Sequence, residues 1–195
     1  NQAGKQAVIM LGYPGVDIYN PDRFVFEVMD GLFSGLGSRL FGAIRESHGL
    51  AYLVGSYQIT GLDPGAFVFY VGTVPDSVDF VVAELFKEIG KIKTVGVDPA
   101  ELERAKRGLI GGRKIHLQTN AQLAFQCGLD ELYGLGWKEY QKYYDHIQSV
   151  TVDDVRRVAN KYFADDRYVL CVVHPPAAAP KAENKVGKKG VAVRS

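Results

Sequence analysis

The four histidines are the first residues to consider for metal chemistry. A zinc hydrolase needs closely spaced ligands, commonly two histidines, and a carboxylate base, because that set polarises and deprotonates a bound water. None of the histidines here stands in an H-E-x-x-H or H-x-x-E-H motif, the spacings that place two imidazoles on one helical face; they are His48, His116, His146 and His174. The sequence therefore predicts no metal site and no cofactor in this chain, and each histidine is expected to be structural or exposed.

Other kinds of catalytic or binding site are also poorly supported. The chain has no G-x-S-x-G motif, so the activated serine of a hydrolase is not indicated. The glycine-rich run 31–38 lacks the G-K-[ST] ending of a phosphate-binding loop, and we interpret it as a tight, flexible connection between helices. With 23 basic and 22 acidic residues the net charge is +1, which argues against nucleic acid as a partner.

The most informative segment is 37–52, which reads GSRLFGAIRESHGLAY. It resembles the G-x-S-R-L-F-x-x-[IL]-R-E-x-x-G-L-A-Y pattern of the second, zinc-free homologous domain of pitrilysin-type metallopeptidases, which include insulinase-like and mitochondrial-processing-peptidase-like enzymes. The resemblance extends over residues 5–175. It implies a processing-peptidase-like metallohydrolase domain whose zinc-bearing H-x-x-E-H lies on a homologous domain of the same parent chain or on a partner subunit.

The resemblance also implies site residues, an arginine and a tyrosine seven positions apart, matched here by Arg45 and Tyr52. The rigid donor fork of Arg45 suits a peptide carbonyl, and the Tyr52 hydroxyl suits the oxyanion that forms when water attacks the scissile bond. The alternative is a purely structural role, in which Arg45 pairs with a surface carboxylate and Tyr52 packs at the start of a strand. We interpret Arg39, in the same motif, as structural.

Three functions remain open on this basis. The favoured one is a non-catalytic, substrate-contacting domain that closes a proteolytic chamber, assists a zinc-bearing homologue and contacts an extended, unfolded peptide. As this chain alone it is not expected to be active. The alternatives are a structural subunit, like the core proteins of respiratory complexes, and a peptide-binding module without proteolysis. A homodimer or heterodimer is compatible with each.

Hydrophobic periodicity and turn residues predict the elements that position this segment. Apolar alternation and turn signals indicate strands, and apolar residues every three or four positions behind Asp-Pro or Thr caps indicate helices. The expected strands are 6–12, 51–60, 66–74 and 167–173. The expected helices are 21–32, a short one from 38, 76–95, 98–115, 120–133, 138–147 and 152–162. This order predicts an α+β fold with a mostly antiparallel sheet covered on one face by helices.

Further expectations concern individual residues and the chain as a whole. At 195 residues and 47% hydrophobic content, we expect one domain over 1–177 and a linker or tail over 178–195, excised from a longer protein. We expect no membrane span, a soluble protein, and a cytoplasmic or periplasmic location if bacterial. Cys127 and Cys171 are expected to be buried thiols. Glu101, Arg104 and Lys106 are expected on a solvated helix face, and Phe67 and Phe69 in the core.

Overall fold

The computed structural model describes residues 6–35, 37–46 and 49–175. Within these ranges the chain forms four strands and six α-helices. In chain order they are β1 (Ala7–Pro14), α1 (Arg23–Phe33), β2 (Ala51–Ile59), β3 (Ala66–Thr73), α2 (Val78–Thr94), α3 (Pro99–His116), α4 (Asn120–Leu132), α5 (Glu139–Ser149), α6 (Val152–Tyr162) and β4 (Val169–Val173). A π-helical segment, Phe41–Glu46, precedes β2, and we call it the π turn.

The strands form one antiparallel sheet in the order β2-β3-β1-β4. Ala7 pairs with Thr73 and Pro14 with Ala66, so β1 and β3 are in register along their whole length. β2 and β3 form the predicted hairpin, while β4 returns from the end of the chain to the free side of β1. The predicted α+β architecture is confirmed, and β2 and β4 are the edges of the sheet.

Helices cover one face of the sheet and enclose the core. Alternate side chains of β1 and β3 point into it, and Ile9, Leu11, Phe67 and Phe69 are fully buried. Phe33 of α1 meets Phe69 edge to face, with ring centroids 4.9 Å apart and planes at 86°. The prediction that Phe67 and Phe69 lie in the core is therefore confirmed, and aromatic packing of this kind fixes α1 on the sheet.

The opposite face of the sheet carries no helix among the described residues, and we call it the open face. The strand registers place the intervening side chains there, and these are mostly exposed or half-buried: Val8, Met10, Leu53, Tyr57, Tyr70, Val169, Cys171 and Val173. It is an apolar surface on a folded domain, which is typical of a surface that contacts a partner or a ligand.

Capping residues fix where the helices begin, as the sequence indicates. Asp98 caps α3 by accepting a hydrogen bond of 2.8 Å from the Ala100 amide, and a proline follows at the first helical position. Thr151 and Asp154 form a reciprocal capping box at the start of α6. These local signals explain why helices α3 and α6 begin where the sequence predicts.

The expectations for Cys127, Cys171 and Lys106 are wrong. Cys171 is exposed and Cys127 half-buried, both as free thiols, because β4 is an edge strand and α4 packs with only one side chain fully buried. Lys106 is buried instead of solvated: its ammonium donates 3.0 Å hydrogen bonds to the carboxylate of Glu103 and to the carbonyl of Gln148. A lysine can be buried when its charge is paired in this way.

Two further points concern the chain as a whole. None of the helices in the described residues is long and apolar enough to cross a membrane. The expected linker or tail at 178–195 and the expected environment of His48 lie outside the described residues.

Candidate functional site

Arg45 lies near the end of the π turn, which is anchored by its apolar side chains. Leu40 and Ile44, four residues apart, are fully buried against the core, whereas Arg45 is exposed. The Arg45 guanidinium carbon lies 5.1 Å from the ring centroid of Phe41, a cation–π contact one turn back. π-helical turns are rare and occur frequently at functional sites. Here the turn presents a charged side chain from a rigid apolar base.

Gly49 ends this turn and directs the chain into β2. Its φ of +64° lies in the left-handed region, which favours glycine. The Gly49 amide donates a 2.9 Å hydrogen bond to the carbonyl of Arg45, and the Leu50 amide donates at 3.3 Å to the carbonyl of Ile44. Residues 49 and 50, which lead into β2, are therefore tied by hydrogen bonds to the carbonyl groups of Arg45 and Ile44.

Tyr52 occupies an irregularity in the sheet. Ala51 pairs with Thr73 and Leu53 with Gly72, so Tyr52 is the extra residue of a β-bulge. The side chains of Tyr52 and Leu53 are both exposed, at 62% and 59%, whereas a regular strand would place them on opposite faces. Bulges re-aim a side chain and are over-represented next to active sites.

The start of β2 is held rigidly beneath the bulge. The Thr73 hydroxyl, fully buried, donates a 2.6 Å hydrogen bond to the carbonyl of Leu50. Ala51 is buried in the core cluster. Tyr52 therefore projects from a fixed backbone, and its orientation does not depend on a loose loop.

Arg39 has a structural role, as the sequence analysis interprets it. Its guanidinium donates two 2.7 Å hydrogen bonds to the two carboxylate oxygens of Glu101 and a third, at 3.2 Å, to the carbonyl of Gly96. A bidentate pair of this kind is geometrically specific. It ties the segment before the π turn to the start of α3. Helical periodicity places Glu101 on the solvated face. It gives no sign of the ion pair with Arg39, because the two residues are 62 positions apart in the chain.

Arg45 and Tyr52 differ from Arg39 in having free polar groups. Among the described residues, neither side chain makes a hydrogen bond or an ion pair, and the contact with Phe41 leaves the Arg45 donors exposed. Among the described residues Arg45 has no carboxylate partner, and Tyr52 is 62% exposed and so does not pack at the start of the strand. Five N–H donors and one hydroxyl are thus available to an external ligand.

The residues that the structure describes do not fit a metal ion. No group of three or more His, Cys, Asp or Glu side chains within them is arranged to hold one. His146 stacks on Phe24 with ring centroids 4.2 Å apart, and His116 and His174 are exposed. Of the three described histidines, His146 is therefore a packing residue and the other two are exposed.

Comparison with known proteins identifies the domain. A family described as the peptidase M16 inactive domain matches residues 1–109, more than half of the 195-residue chain, and this match includes Arg45 and Tyr52. The chain belongs to the peptidase M16 inactive-domain family. The resemblance to pitrilysin-type peptidases that segment 37–52 indicated is thereby confirmed.

Relatives of this M16 inactive domain carry protease names. An uncharacterized zinc protease of Rickettsia felis is 33% identical over 172 residues, covering 84% of this chain and 40% of the relative. Another from Streptomyces coelicolor is 35% identical over 159 residues, covering 80% of this chain and 34% of the relative. The chain thus spans well under half the length of either relative.

A solved structure agrees with the fold. The crystal structure of a peptidase M16 inactive domain from Pseudomonas fluorescens is similar with a TM-score of 0.80 and 25% sequence identity. The similarity covers 90% of this chain and 42% of that chain. The architecture described above is therefore that of an M16 inactive domain, and zinc proteases are the class of protein in which relatives of this sequence occur.

Proposed function

We propose that this domain assists peptide-bond hydrolysis by a homologous zinc-bearing domain, to which it supplies Arg45 and Tyr52. The observation that carries the proposal is the state of these two side chains: both are exposed, neither is paired among the described residues, and each lies on a fixed backbone irregularity. A folded domain gains little stability from such an arrangement. A role toward a ligand accounts for it better than a role in folding.

The two side chains suit different parts of the substrate. The guanidinium of Arg45 donates to a peptide carbonyl next to the scissile bond and so positions the extended chain. The Tyr52 hydroxyl donates to the oxygen that becomes negatively charged when water adds to the scissile carbonyl, and thereby stabilises the transition state. The zinc of the partner domain supplies polarisation of the attacking water.

Chamber closure by this domain is supported by its open face and its free edge. The open face is apolar and carries no helix among the described residues, so it suits a wall against a partner domain or a bound peptide. β2 carries Tyr52 and is an edge strand, so its outward amide and carbonyl groups suit an added peptide strand. Extended, unfolded peptides fit such a wall and edge, whereas folded proteins do not.

The test is hydrolysis of a fluorogenic peptide by this chain alone, by a zinc-bearing homologous domain alone, and by the two mixed. We expect activity in the mixture only. Arg45→Ala is expected to raise KM and lower kcat/KM at least tenfold, because a charge-assisted contact to substrate is lost. Arg107→Ala removes an exposed arginine of α3 and is the matched control, with no expected change.

Two other results would favour one of the alternative functions. A mixture that binds the peptide without cleaving it would support a peptide-binding module. A mixture that neither binds nor cleaves, although the domains associate, would support a structural subunit. Full activity of Arg45→Ala in a productive mixture would contradict the role of that residue.

A further inference from the structure

A cavity of about 260 Å³ lies in the helical layer. It is lined mainly by side chains from α1, α3, α4 and α5 and by the end of β2, and none of its lining residues belongs to the π turn or the bulge. The proposed protease-assisting role uses no residue of this cavity. A ligand of this cavity would therefore be distinct from the peptide substrate.

The charged groups that line the cavity carry a net negative charge when ionised. Two arginines face three carboxylates: Arg23, Arg113, Glu27, Asp130 and Glu139. Some of these charges are already neutralised, since Glu139 accepts hydrogen bonds from Arg23 at 2.9 Å and, outside the lining, from Lys142 at 3.1 Å. The Glu27 carboxylate accepts a 2.7 Å hydrogen bond from the Tyr143 hydroxyl.

Asp130 is the carboxylate of this cavity whose hydrogen bonding is incomplete. It is 5% exposed and is the one buried residue of α4, all of which the structure describes. Its Oδ1 accepts a 2.8 Å hydrogen bond from the amide of Gln126, but its buried Oδ2 has no partner among the described residues. A buried carboxylate oxygen without a donor is costly, because it has given up its hydrogen bonds to water without replacing them. Such a group in a native structure calls for an explanation.

A second unpaired acceptor lines the same cavity. The Oε1 of Gln58, at the end of β2, is also buried without a partner in the described part of the chain. Two acceptors that lack donors favour a ligand that brings several N–H groups. The buried Nε of Arg113 is an unpaired donor at the same site, but an anionic ligand placed against it would face the three carboxylates.

Aromatic rings complete the lining. Tyr133, Tyr140, Tyr143 and Phe24 all contribute to the walls. Tyrosine and phenylalanine faces attract cations, and Arg113 already lies 5.0 Å from the ring centroid of Tyr143. The cavity thus combines unpaired acceptors, net negative charge and π faces, the combination that recognises organic ammonium ions.

We propose that this cavity binds a small organic ammonium ion. Its N–H groups donate to Oδ2 of Asp130 and Oε1 of Gln58, and its apolar part lies among the tyrosine rings. The bound cation pairs with the Asp130 carboxylate, which has no ion-pair partner among the described residues. Desolvation raises the pKa of Glu27 despite the Tyr143 hydrogen bond and the nearby arginines, so a cation beside it also relieves an unfavourable buried charge.

Calorimetric titration of the full chain with benzylamine tests the proposal, and benzyl alcohol is the neutral analogue of the same shape. We expect saturable binding of benzylamine, with the alcohol at least tenfold weaker. Asp130→Asn is expected to weaken benzylamine binding at least tenfold. Asp145→Asn, an exposed aspartate of α5, is the matched control and is expected to leave binding unchanged.

A second arm separates two sources of the same chemical group. An acetylated Ala-Lys-Ala amide offers the ammonium on a peptide side chain, whereas benzylamine offers it on a free small molecule. Saturable, Asp130-dependent binding of either supports the proposal and names the source.

Three results would overturn the proposal: no saturable binding of either probe, equal binding of the alcohol, or unchanged binding by a folded Asp130→Asn variant. If circular dichroism shows that Asp130→Asn does not fold, Gln58→Leu and the amine-to-alcohol comparison on the wild type decide the question in its place.

Discussion

Asp22 is the residue on which charge most directly stabilises the fold. It is buried at the start of α1, and its carboxylate is 2.8 Å from Nη2 of Arg157 and accepts hydrogen bonds from Lys161 at 3.3 Å and Tyr162 at 3.1 Å. Burial raises the pKa of Asp22, but these hydrogen bonds outweigh it and hold the pKa below its ordinary value of 3.8. The carboxylate therefore joins α1 to α6.

Asp22→Asn is expected to lower the free energy of unfolding by about 1–3 kcal/mol at pH 7, because charge-assisted hydrogen bonds are lost. A carboxyl whose pKa is depressed on folding stabilises the protein above its unfolded pKa and loses that contribution as pH falls through its folded pKa. Urea denaturation should thus show a gap between variant and wild type that narrows below about pH 3.8. A gap that stays constant down to pH 2 would contradict this account.

The candidate residues were predicted from the family motif and not from residue types. Arg45 and Tyr52 were identified from a motif, whereas composition favoured burial for Cys171 and solvation for Lys106 and Glu101, and all three preferences were wrong. In each case the environment depends on a distant partner or on the position of an edge strand. The burial of Asp130 could not be predicted, because an aspartate beside Glu131 in an amphipathic helix is normally solvated.

The connection between the π turn and β2 is the element on which the candidate site depends. Gly49→Ala is expected to cost about 1–2 kcal/mol, because an L side chain is strained at its φ of +64° although the space around it is open. Gly108→Ala in α3 is the matched control, also in open space, and is expected to stabilise by about 0.5–1 kcal/mol. Thermal denaturation of the pair checks the prediction, and two shifts of the same sign would refute it.

The outer edge of β2 is covered at one point by the end of α1. The Ser34 hydroxyl lies 2.9 Å from the carbonyl of Ser56 and accepts a 2.7 Å hydrogen bond from the amide of Ser56, and it also lies 3.0 Å from the carboxylate of Asp30. Edge strands need such cover, since their free backbone groups pair readily with other chains.

Ser34→Ala is expected to destabilise the domain by about 1–3 kcal/mol, because backbone groups of Ser56 lose their partner. Burial already raises the pKa of Asp30, against hydrogen bonds from Ser56 and Ser34, so the variant should raise that pKa further in an NMR titration. Ser77→Ala is the control, since Ser77 precedes α2 without a side-chain capping bond. Equal stability of the two variants would show that the edge contact is unimportant.

At the scale of helices and strands, the sequence predicted most of the architecture. The hairpin and helices α2 to α6 carry strong periodicity or caps, such as Asp98 and Thr151, and they form close to the predicted ranges. The short helix expected from residue 38 forms as the π turn at Phe41–Glu46, but its π-helical geometry and the bulge at Tyr52 were not predicted. Both arise from how buried anchors such as Ile44 and Thr73 meet the core, which no local pattern encodes.

At the scale of the whole molecule, the two faces of the sheet have different roles. Helices bury the core on one side, while the other side remains apolar and carries no helix in the described part of the chain. The two named relatives are more than twice as long as the region that this chain matches. We therefore propose that the remaining part of a parent protein, or a partner subunit, faces this surface and provides the zinc site.

The most direct test of the central claim is the kcat of Tyr52→Phe for a fluorogenic peptide, in the presence of the zinc-bearing homologous domain. Removal of one oxyanion donor is expected to lower kcat by about 10²–10³ with little change in KM, because the contact forms only in the transition state. Tyr144→Phe, which alters a tyrosine that is 53% exposed on α5, should retain full activity. An unchanged kcat for Tyr52→Phe, in a folded and active mixture, would contradict the proposed function.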